Sequence, residues 1–205
     1  MNQHEQAELL IATKNKGKVP ELAELLAGVP LRLRTLAEFP RVPTPDETGA
    51  TFAENAELKA RFYAARTGLL TLADDSGLET DALGGAPGVH SARYAGAGAT
   101  DEQRIGRLLA EMRTSGNPTR GARFVCAVAL FDPRAGACQL FEGICAGRIG
   151  HESRGSNGFG YDPVFIPDGF DQTFAELPAE VKRRISHRAQ ALAAARIALA
   201  KAFPA

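Results

Sequence analysis

The sequence predicts an α/β fold with a mixed sheet, flanking helices and two lobes with a cleft between them. Two observations support this fold class: strand-like apolar runs alternate with helical patterns up to residue 112, and two β-rich runs then follow one another. A chain of 205 residues with 44% hydrophobic and 23% charged side chains can bury a sizeable core. We therefore expect one domain over 1–205, with residues 1–7 as a frayed tail.

The first half of the chain alternates between strands and helices. Thr51 and Thr100 each begin a helix with a capping box, because Glu54 and Gln103 follow three residues later. Residues 74–99 are rich in glycine and predict a long ordered loop with a short strand near 91–94. The other predicted elements are strands over 8–13, 31–36 and 69–73 and helices over 18–27, 51–66 and 100–112.

The second half is β-rich at first and helical at the end. Residues 122–131 and 138–150 predict two strands that a short loop joins as a hairpin. Residues 151–173 are punctuated by glycine and predict a loop. Pro178 suits the start of a short helix, and Ser186 suits the cap of a final helix over 187–203.

Charge and cysteine content narrow the class of protein. The 24 basic and 24 acidic residues balance, which argues against binding of polymeric nucleic acid. No apolar run reaches transmembrane length, and residues 1–7 do not resemble a secretory signal. Cys126, Cys138 and Cys145 form no C-x-x-C pair, so we expect buried, reduced thiols in a cytoplasmic protein.

A basic loop follows the first predicted strand. Residues 12–18 read Ala-Thr-Lys-Asn-Lys-Gly-Lys and lead directly into a helix, where free backbone N–H groups and lysines favour a phosphate. The loop is not a Walker A motif, because Val19 stands where serine or threonine should follow the lysine. A solvated basic turn is the alternative interpretation.

A second group of residues is acidic. Asp74 and Asp75 follow the strand over 69–73, and two adjacent like charges repel unless a cation or donors lie between them. Together with the loop residues Asp46 and Glu47 they could hold Mg²⁺, which prefers a few carboxylates, waters and phosphate oxygens. The alternative is an ordinary Asp-Asp-Ser-Gly turn.

Two further segments combine aromatic and basic side chains. Residues 154–163 read Arg-Gly-Ser-Asn-Gly-Phe-Gly-Tyr-Asp-Pro, which could be a tight loop that plugs the core or a platform on which a base stacks. His187 and Arg188 lie in the first turn of the last helix, where cations oppose the helix dipole. Such a placement indicates a ligand, although a solvated helix start is the simpler alternative.

Taken together, seven segments in order resemble the Ham1/RdgB-like family of noncanonical purine nucleoside triphosphate pyrophosphatases. The resemblance runs from Ile11 to about Leu192, nearly the whole chain. The segments are residues 12–18, Thr51-Phe-Ala-Glu-Asn-Ala56, Ala73-Asp-Asp-Ser-Gly77, Leu83-Gly-Gly-Ala-Pro-Gly88, Ser91-Ala-Arg-Tyr94, Gly158-Phe-Gly-Tyr-Asp-Pro163 and Ser186-His-Arg188.

The resemblance implies an elongated α/β fold with a central nucleotide-binding cleft, usually in a homodimer. It implies Mg²⁺-dependent hydrolysis of ITP, dITP or XTP to the monophosphate and pyrophosphate. By position, Asp75 would be the proton acceptor and a metal ligand beside Asp74, with Asp46 or Glu47 as the second acidic contact. The implied substrate-binding residues are Thr13, Lys14, Asn15, Lys16, Gly17, Lys18, Ser76, Phe159, Gly160, Tyr161, Asp162, Lys182, His187 and Arg188.

Two other functions compete with this one. A pyrophosphatase of similar fold could act on other modified nucleotides, such as methylated or pyrimidine triphosphates. A nucleotide-binding regulator without catalysis is a second possibility, but concentrated negative charge near phosphates would weaken a pure binder. A structural role explains neither the lysine loop nor the acidic pair.

Overall fold

A computed structural model describes residues 7–15 and 17–204. The predicted tail over 1–7 therefore lies outside the described residues except for Ala7. The prediction of a mixed α/β fold is confirmed. The strands are β1 Glu8–Ile11, β2 Arg32–Thr35, β3 Leu70–Thr80, β4 Gly121–Asp132, β5 Ala137–Ile149 and β6 Phe165–Pro167, and the helices are α1 Lys18–Leu25, α2 Phe52–Thr67, α3 Asp101–Thr114, α4 Ala179–Ile185 and α5 His187–Ala202.

The strands form one sheet in the order β2-β1-β3-β4-β5-β6. Strand β1 pairs parallel with β2 and with β3, as expected where helices connect successive strands. Strand β5 pairs antiparallel with β6. The sheet is therefore mixed, with its parallel part formed by the first half of the chain.

The chain divides into two compact units. Unit 1 contains the chain up to Asp75 together with residues 127–142 and the chain from Ala191 onwards, and unit 2 contains residues 76–126 and 143–190. In unit 1 the residues of β1 from Leu9 onwards are buried. In unit 2 the core includes three packed phenylalanine rings, Phe124, Phe165 and Phe174.

Local signals placed the helices correctly. Both capping boxes are formed: the Thr51 hydroxyl accepts from the Glu54 amide, and Thr100 accepts from Gln103. Helix α2 ends at Gly68, whose φ of 71° lies in the left-handed region that glycine adopts easily. These contacts lie within a few residues of one another, and sequence patterns report such contacts well.

The expected strand end at Ala73 is wrong, and so is the alternative of a turn at Asp74–Gly77. Strand β3 continues through both aspartates to Thr80. The Ser91 hydroxyl accepts a hydrogen bond from the Leu78 amide at 2.9 Å, and a Cβ at Gly77 would collide with that hydroxyl. Glycine thus permits a close approach that holds the extended backbone beyond the aspartates.

Three smaller expectations also need correction. Residues 91–94 do not form a strand: residues 91–93 end a 3-10 segment over Gly88–Arg93, and Tyr94 caps it. The predicted loop over 151–173 contains β6, which is only three residues long and is defined by its pairing with β5. Cys126 and Cys145 are buried thiols as expected, whereas Cys138 is only half-buried.

Of the helices in residues 7–15 and 17–204, each is too short or too polar to cross a bilayer.

Candidate active site

The loop between β1 and α1 is shaped by its own side chains. The Thr13 hydroxyl accepts from the Asn15 amide at 3.2 Å, and the Asn15 side-chain oxygen accepts from the Gly17 amide at 2.9 Å. Lys14 is exposed and donates to the Val42 carbonyl at 3.3 Å. Predicted Lys16 lies outside the described residues. The loop therefore leads from a buried strand into Lys18, the first residue of α1.

Strand β3 carries two aspartates that each contact a lysine from a different helix. The Lys18 Nζ lies 2.8 Å from Asp74 Oδ2, and the Lys59 Nζ of α2 lies 2.8 Å from Asp75 Oδ1. Successive side chains in a strand point to opposite faces, so one aspartate meets α1 and the next meets α2. Lys59 Nζ also lies 3.0 Å from Glu47 Oε1. We call Lys18, Glu47, Lys59, Asp74 and Asp75 the lysine–carboxylate cluster of unit 1.

Burial and neighbouring charges together shift the pKa values of Asp75 and Lys59. Burial raises the pKa of the Asp75 carboxyl above its usual range, although the charges of Lys59 and Lys18 pull it down. For Lys59 burial alone would lower the pKa, but Asp75, Asp74 and Glu47 outweigh burial and raise it. Lys59 therefore stays an ammonium, and Asp75 is a carboxylate that accepts a proton more readily than an exposed aspartate.

The predicted metal ligands separate into two groups. Glu47, Asp74 and Asp75 belong to the lysine–carboxylate cluster, whereas Asp46 is exposed. Within the described part of the chain, no three histidine, cysteine, aspartate or glutamate side chains are grouped as a ready metal centre. Glu54 has the structural role we expected, since its carboxylate accepts from the Ala50 and Thr51 amides.

Lys59 was not identified from the sequence. It is buried on α2 beside Phe52, Ala56, Ala60 and Tyr63. The signal was present, because residues at spacings of three and four share one helix face, and a lysine on an apolar face needs a partner.

In unit 2 the carboxylate of Asp162 organises the predicted aromatic segment. Its Oδ2 accepts from the Phe159 amide at 2.9 Å and from Lys182 Nζ at 2.6 Å. Lys182 Nζ also lies 4.7 Å from the centre of the Phe159 ring. Gly158 has a φ of 77°, and a Cβ there would collide with the Asp162 carboxylate. The segment is thus a fixed turn that presents Phe159 beside an ammonium group.

The first turn of α5 adds two buried basic side chains to unit 2. Arg188 is 2% exposed, and its Nη2 donates to the Ser76 hydroxyl at 3.0 Å. His187 is buried, and its ring stacks on Phe124 with centroids 4.7 Å apart. The alternative that both residues are solvated is wrong. Ser186 caps the helix as expected, with its hydroxyl accepting from the Ala189 amide.

Tyr161 has a different environment from its neighbours in the turn. Its ring is buried, and its hydroxyl donates to the Ser91 carbonyl at 3.0 Å. Burial raises the pKa of the phenol well above its usual range. This side chain therefore anchors the turn to the segment that follows β3.

An α/β fold with buried lysine–carboxylate pairs is compatible with an enzyme that acts on a phosphorylated ligand. The Ham1 family model matches residues 9–197, and the chain belongs to the Ham1 family. It is 50% identical over 184 residues to a dITP/XTP pyrophosphatase of Gloeobacter violaceus, which covers 90% of each chain. It is 47% identical over 185 residues to a dITP/XTP pyrophosphatase of Desulfotalea psychrophila, covering 90% of this chain and 82% of that one.

A solved structure supports the fold directly. The HAM1 protein from Coxiella burnetii superposes with a TM-score of 0.88 at 43% identity, covering 95% of this chain and 99% of that one. The resemblance stated from the sequence motifs is therefore confirmed, as is the fold class.

Proposed function

We propose that this protein hydrolyses the noncanonical purine triphosphates ITP, dITP and XTP to the nucleoside monophosphate and pyrophosphate. Its relatives carry the name dITP/XTP pyrophosphatase at 47–50% identity, so the chain is a hydrolase of triphosphate anhydride bonds. The observation that carries the assignment to residues is the lysine–carboxylate cluster. It combines a buried carboxylate of raised pKa, Asp75, with two ammonium groups that suit a polyphosphate.

The reaction follows from these charges. Asp75 accepts the proton of the water that attacks the α-phosphorus, and its raised pKa brings it closer to the pH at which a general base works best. Lys18 and Lys59 lie within 3 Å of the carboxylates and stabilise the negative charge that develops on the leaving pyrophosphate. The loop over 13–18, with its N–H groups at the start of α1, binds the phosphates.

The cluster is compatible with Mg²⁺, which we propose as the cofactor. Glu47 and Asp75 converge on one cationic position, since Lys59 Nζ lies within 3.0 Å of both. Mg²⁺ needs only one or two carboxylates when waters and phosphate oxygens complete its shell. Glu47 and Asp75 would hold the ion at this position, and the charge of Asp74, which also acts on Lys59, would favour it. When bound, the ion would polarise the phosphate oxygens and orient the attacking water.

Unit 2 provides the groups that we propose for the base. Phe159 offers a ring for stacking, with Gly160, Tyr161 and Asp162 in the same turn and Lys182 beside it. Hypoxanthine and xanthine have a 6-oxo acceptor where adenine has an amino donor. Donors from His187 or Arg188 would bond to the 6-oxo group but not to the amino group of adenine. This difference would discriminate strongly against ATP. Ser76, already bonded to Arg188, would join this set.

We further propose that the two units act as a single catalytic domain in a cytoplasmic homodimer. Three cysteines that form no disulfide suit a reducing compartment. Leu140, Ile144 and Ile197 are exposed large apolar side chains and are candidates for a subunit contact. Light scattering on the purified protein tests this proposal: a monomer mass at micromolar concentration would refute the dimer.

The decisive assay is product analysis with Mg²⁺ and a panel of ITP, XTP, GTP, ATP and dUTP. We expect pyrophosphate and monophosphate from ITP and XTP and little from the others. Pyrophosphate mainly from dUTP or another nucleotide would overturn the base assignment, and no turnover at all would favour the nucleotide-binding regulator.

A matched set of carboxamide variants tests the residue roles. Asp75→Asn should abolish turnover with the fold intact, and retained ITP hydrolysis would refute Asp75 as the base. Glu47→Gln should raise the Mg²⁺ concentration needed for half-maximal rate, whereas Asp46→Asn, at an exposed neighbour, should leave it unchanged. If Asp46→Asn raised the Mg²⁺ requirement and Glu47→Gln did not, Asp46 would be the second acidic contact.

A further inference from the structure

The turn over 158–162 depends on a residue far away in the sequence. Two of its polar groups are bonded locally, because the Phe159 amide and the Asp162 carboxylate bond to each other. The Gly160 amide instead donates to Oδ2 of Asp101 at 2.6 Å, across 59 residues of sequence. Gly160 directly follows the proposed stacking ring. The position of that ring is therefore coupled to the start of α3.

Asp101 is itself held in place. Its other carboxylate oxygen pairs with Arg104, one helical turn further along α3. The Arg104 Nη1 donates to the Ala99 carbonyl at 2.6 Å and to the Ala92 carbonyl at 3.1 Å. One Asp–Arg pair thus joins the 158–162 turn, the beginning of α3 and the 3-10 segment before it.

A purely local role does not explain this arrangement. An acidic side chain in the first turn of a helix stabilises the helix dipole. However, Thr100 and Gln103 already cap α3 reciprocally, and the exposed Glu102 supplies a second negative charge at the same position. The charge-assisted bond from Gly160 is additional to what the helix requires.

We propose that Asp101 is a positioning residue for the purine base. By accepting from the Gly160 amide, it fixes the orientation in which Phe159 presents its ring. The inference rests on the proposed function, because it takes the 158–162 turn as the base platform. Asp101 itself contacts neither substrate nor metal in this role.

The test compares Asp101→Ala and Asp101→Asn with Glu102→Ala as the matched control. Glu102→Ala removes the same charge from the same helical turn, but its carboxylate bonds to Thr100 rather than to the 158–162 turn. Asp101→Asn keeps an acceptor oxygen and should restore much of what Asp101→Ala loses. It also serves if the alanine variant fails to fold.

Two readouts separate positioning from general destabilisation. Amide exchange of Gly160, followed by NMR, should accelerate about tenfold in Asp101→Ala, as for the loss of one hydrogen bond. Calorimetry with IMP, which carries the base, should show roughly five- to tenfold weaker binding, whereas binding of pyrophosphate should stay unchanged. In the ITP assay KM should rise more than kcat falls.

Several results would overturn the proposal. These are unchanged IMP affinity in Asp101→Ala, equal weakening of IMP and pyrophosphate, or equal effects of Asp101→Ala and Glu102→Ala. Wild-type protein that binds IMP but hydrolyses no triphosphate would refute the proposed reaction and leave the Asp101 comparison valid. Wild-type protein that hydrolyses ITP but binds no IMP would overturn the base platform and the role of Asp101, and would leave the proposed reaction standing.

Discussion

Lys59 offers the sharpest test of the lysine–carboxylate cluster. Replacing it with methionine keeps a long unbranched side chain on the buried face of α2 but removes the ammonium that Asp75 and Glu47 share. The variant leaves two carboxylates without their common cation. Because Asp75 is buried, it cannot recover the lost interaction from water.

The expected loss of stability follows from burial. Removing one partner of a buried ion pair is destabilising by about 3–5 kcal/mol. We take the lower end, about 3 kcal/mol, because the Glu47 side chain is 31% exposed and water screens its share. For a chain of this size, such a change lowers Tm by roughly 6–12 °C.

Differential scanning calorimetry at neutral pH measures this effect. Arg61→Met is the control, since it removes a cation from the exposed side of the same helix, where its pair with Glu57 contributes about 0–1 kcal/mol. Adding Asp75→Asn to Lys59→Met removes the stranded charge and should recover part of the lost stability. Lowering the pH should also reduce the difference in Tm between Lys59→Met and the wild type, because Asp75 then becomes protonated.

Two results would refute this reasoning. One is a Tm for Lys59→Met no lower than that of Arg61→Met. The other is a double variant that is less stable than Lys59→Met alone, which would mean that Asp75 stabilises the fold independently of the lysine.

Three other predictions concern groups outside this cluster. The pKa of Tyr94 is raised to about 12, mainly by burial, so its contribution to stability is complete below pH 10 and is lost as the pH rises to about 12. Tyrosinate absorbance should therefore appear together with the loss of circular dichroism, and ionisation of Tyr94 at a lower pH would contradict the prediction. Burial raises the pKa of Cys145 to about 11, so iodoacetamide should modify the half-buried Cys138 first. Peptide mass spectrometry measures the order of labelling, and preferential labelling of Cys145 would contradict its burial. Gly77→Ala should destabilise the protein by about 1–3 kcal/mol, because the new methyl group would collide with Ser91 and would lie 2.6 Å from the Gly88 carbonyl oxygen. An unchanged urea midpoint would show that the 3-10 segment moves aside at no cost in stability.

The sequence predicted what depends on near neighbours. Thr51 and Thr100 located two helices because a capping box involves residues only three positions apart. The prediction failed where contacts with distant residues determine the structure. The sequence predicted a strand end at Asp74 and Asp75, because the lysines that pair with them lie 56 and 16 positions earlier. The strand continues through them because those cations and Ser91 stabilise it.

The candidate site shows the same division. Motif residues such as Asp75, Asp162 and Arg188 were identified, and the structure places each of them in a cluster. Their supports were not identified. Phe124 and Asp101 contact site residues from other elements, and a contact between distant elements leaves no local spacing in a single sequence. Lys59 differs, because its place on the apolar face of α2 is a local signal, although the sequence does not show that Asp75 is its partner.

The pairing of carboxylates with lysines has a consequence for the order in which the site fills. The ammonium groups of Lys18 and Lys59 already neutralise most of the negative charge of the three carboxylates in the cluster. A free divalent ion must therefore displace a lysine side chain. Under the proposed function, a triphosphate would draw the lysines towards its own oxygens and would release the carboxylates for the ion that it carries. We expect weak Mg²⁺ binding to the protein alone and much tighter binding with a nucleotide analogue, and equal affinities in calorimetry would contradict this. If the proposed function is correct, this competition would keep the cluster inactive until substrate and metal arrive together.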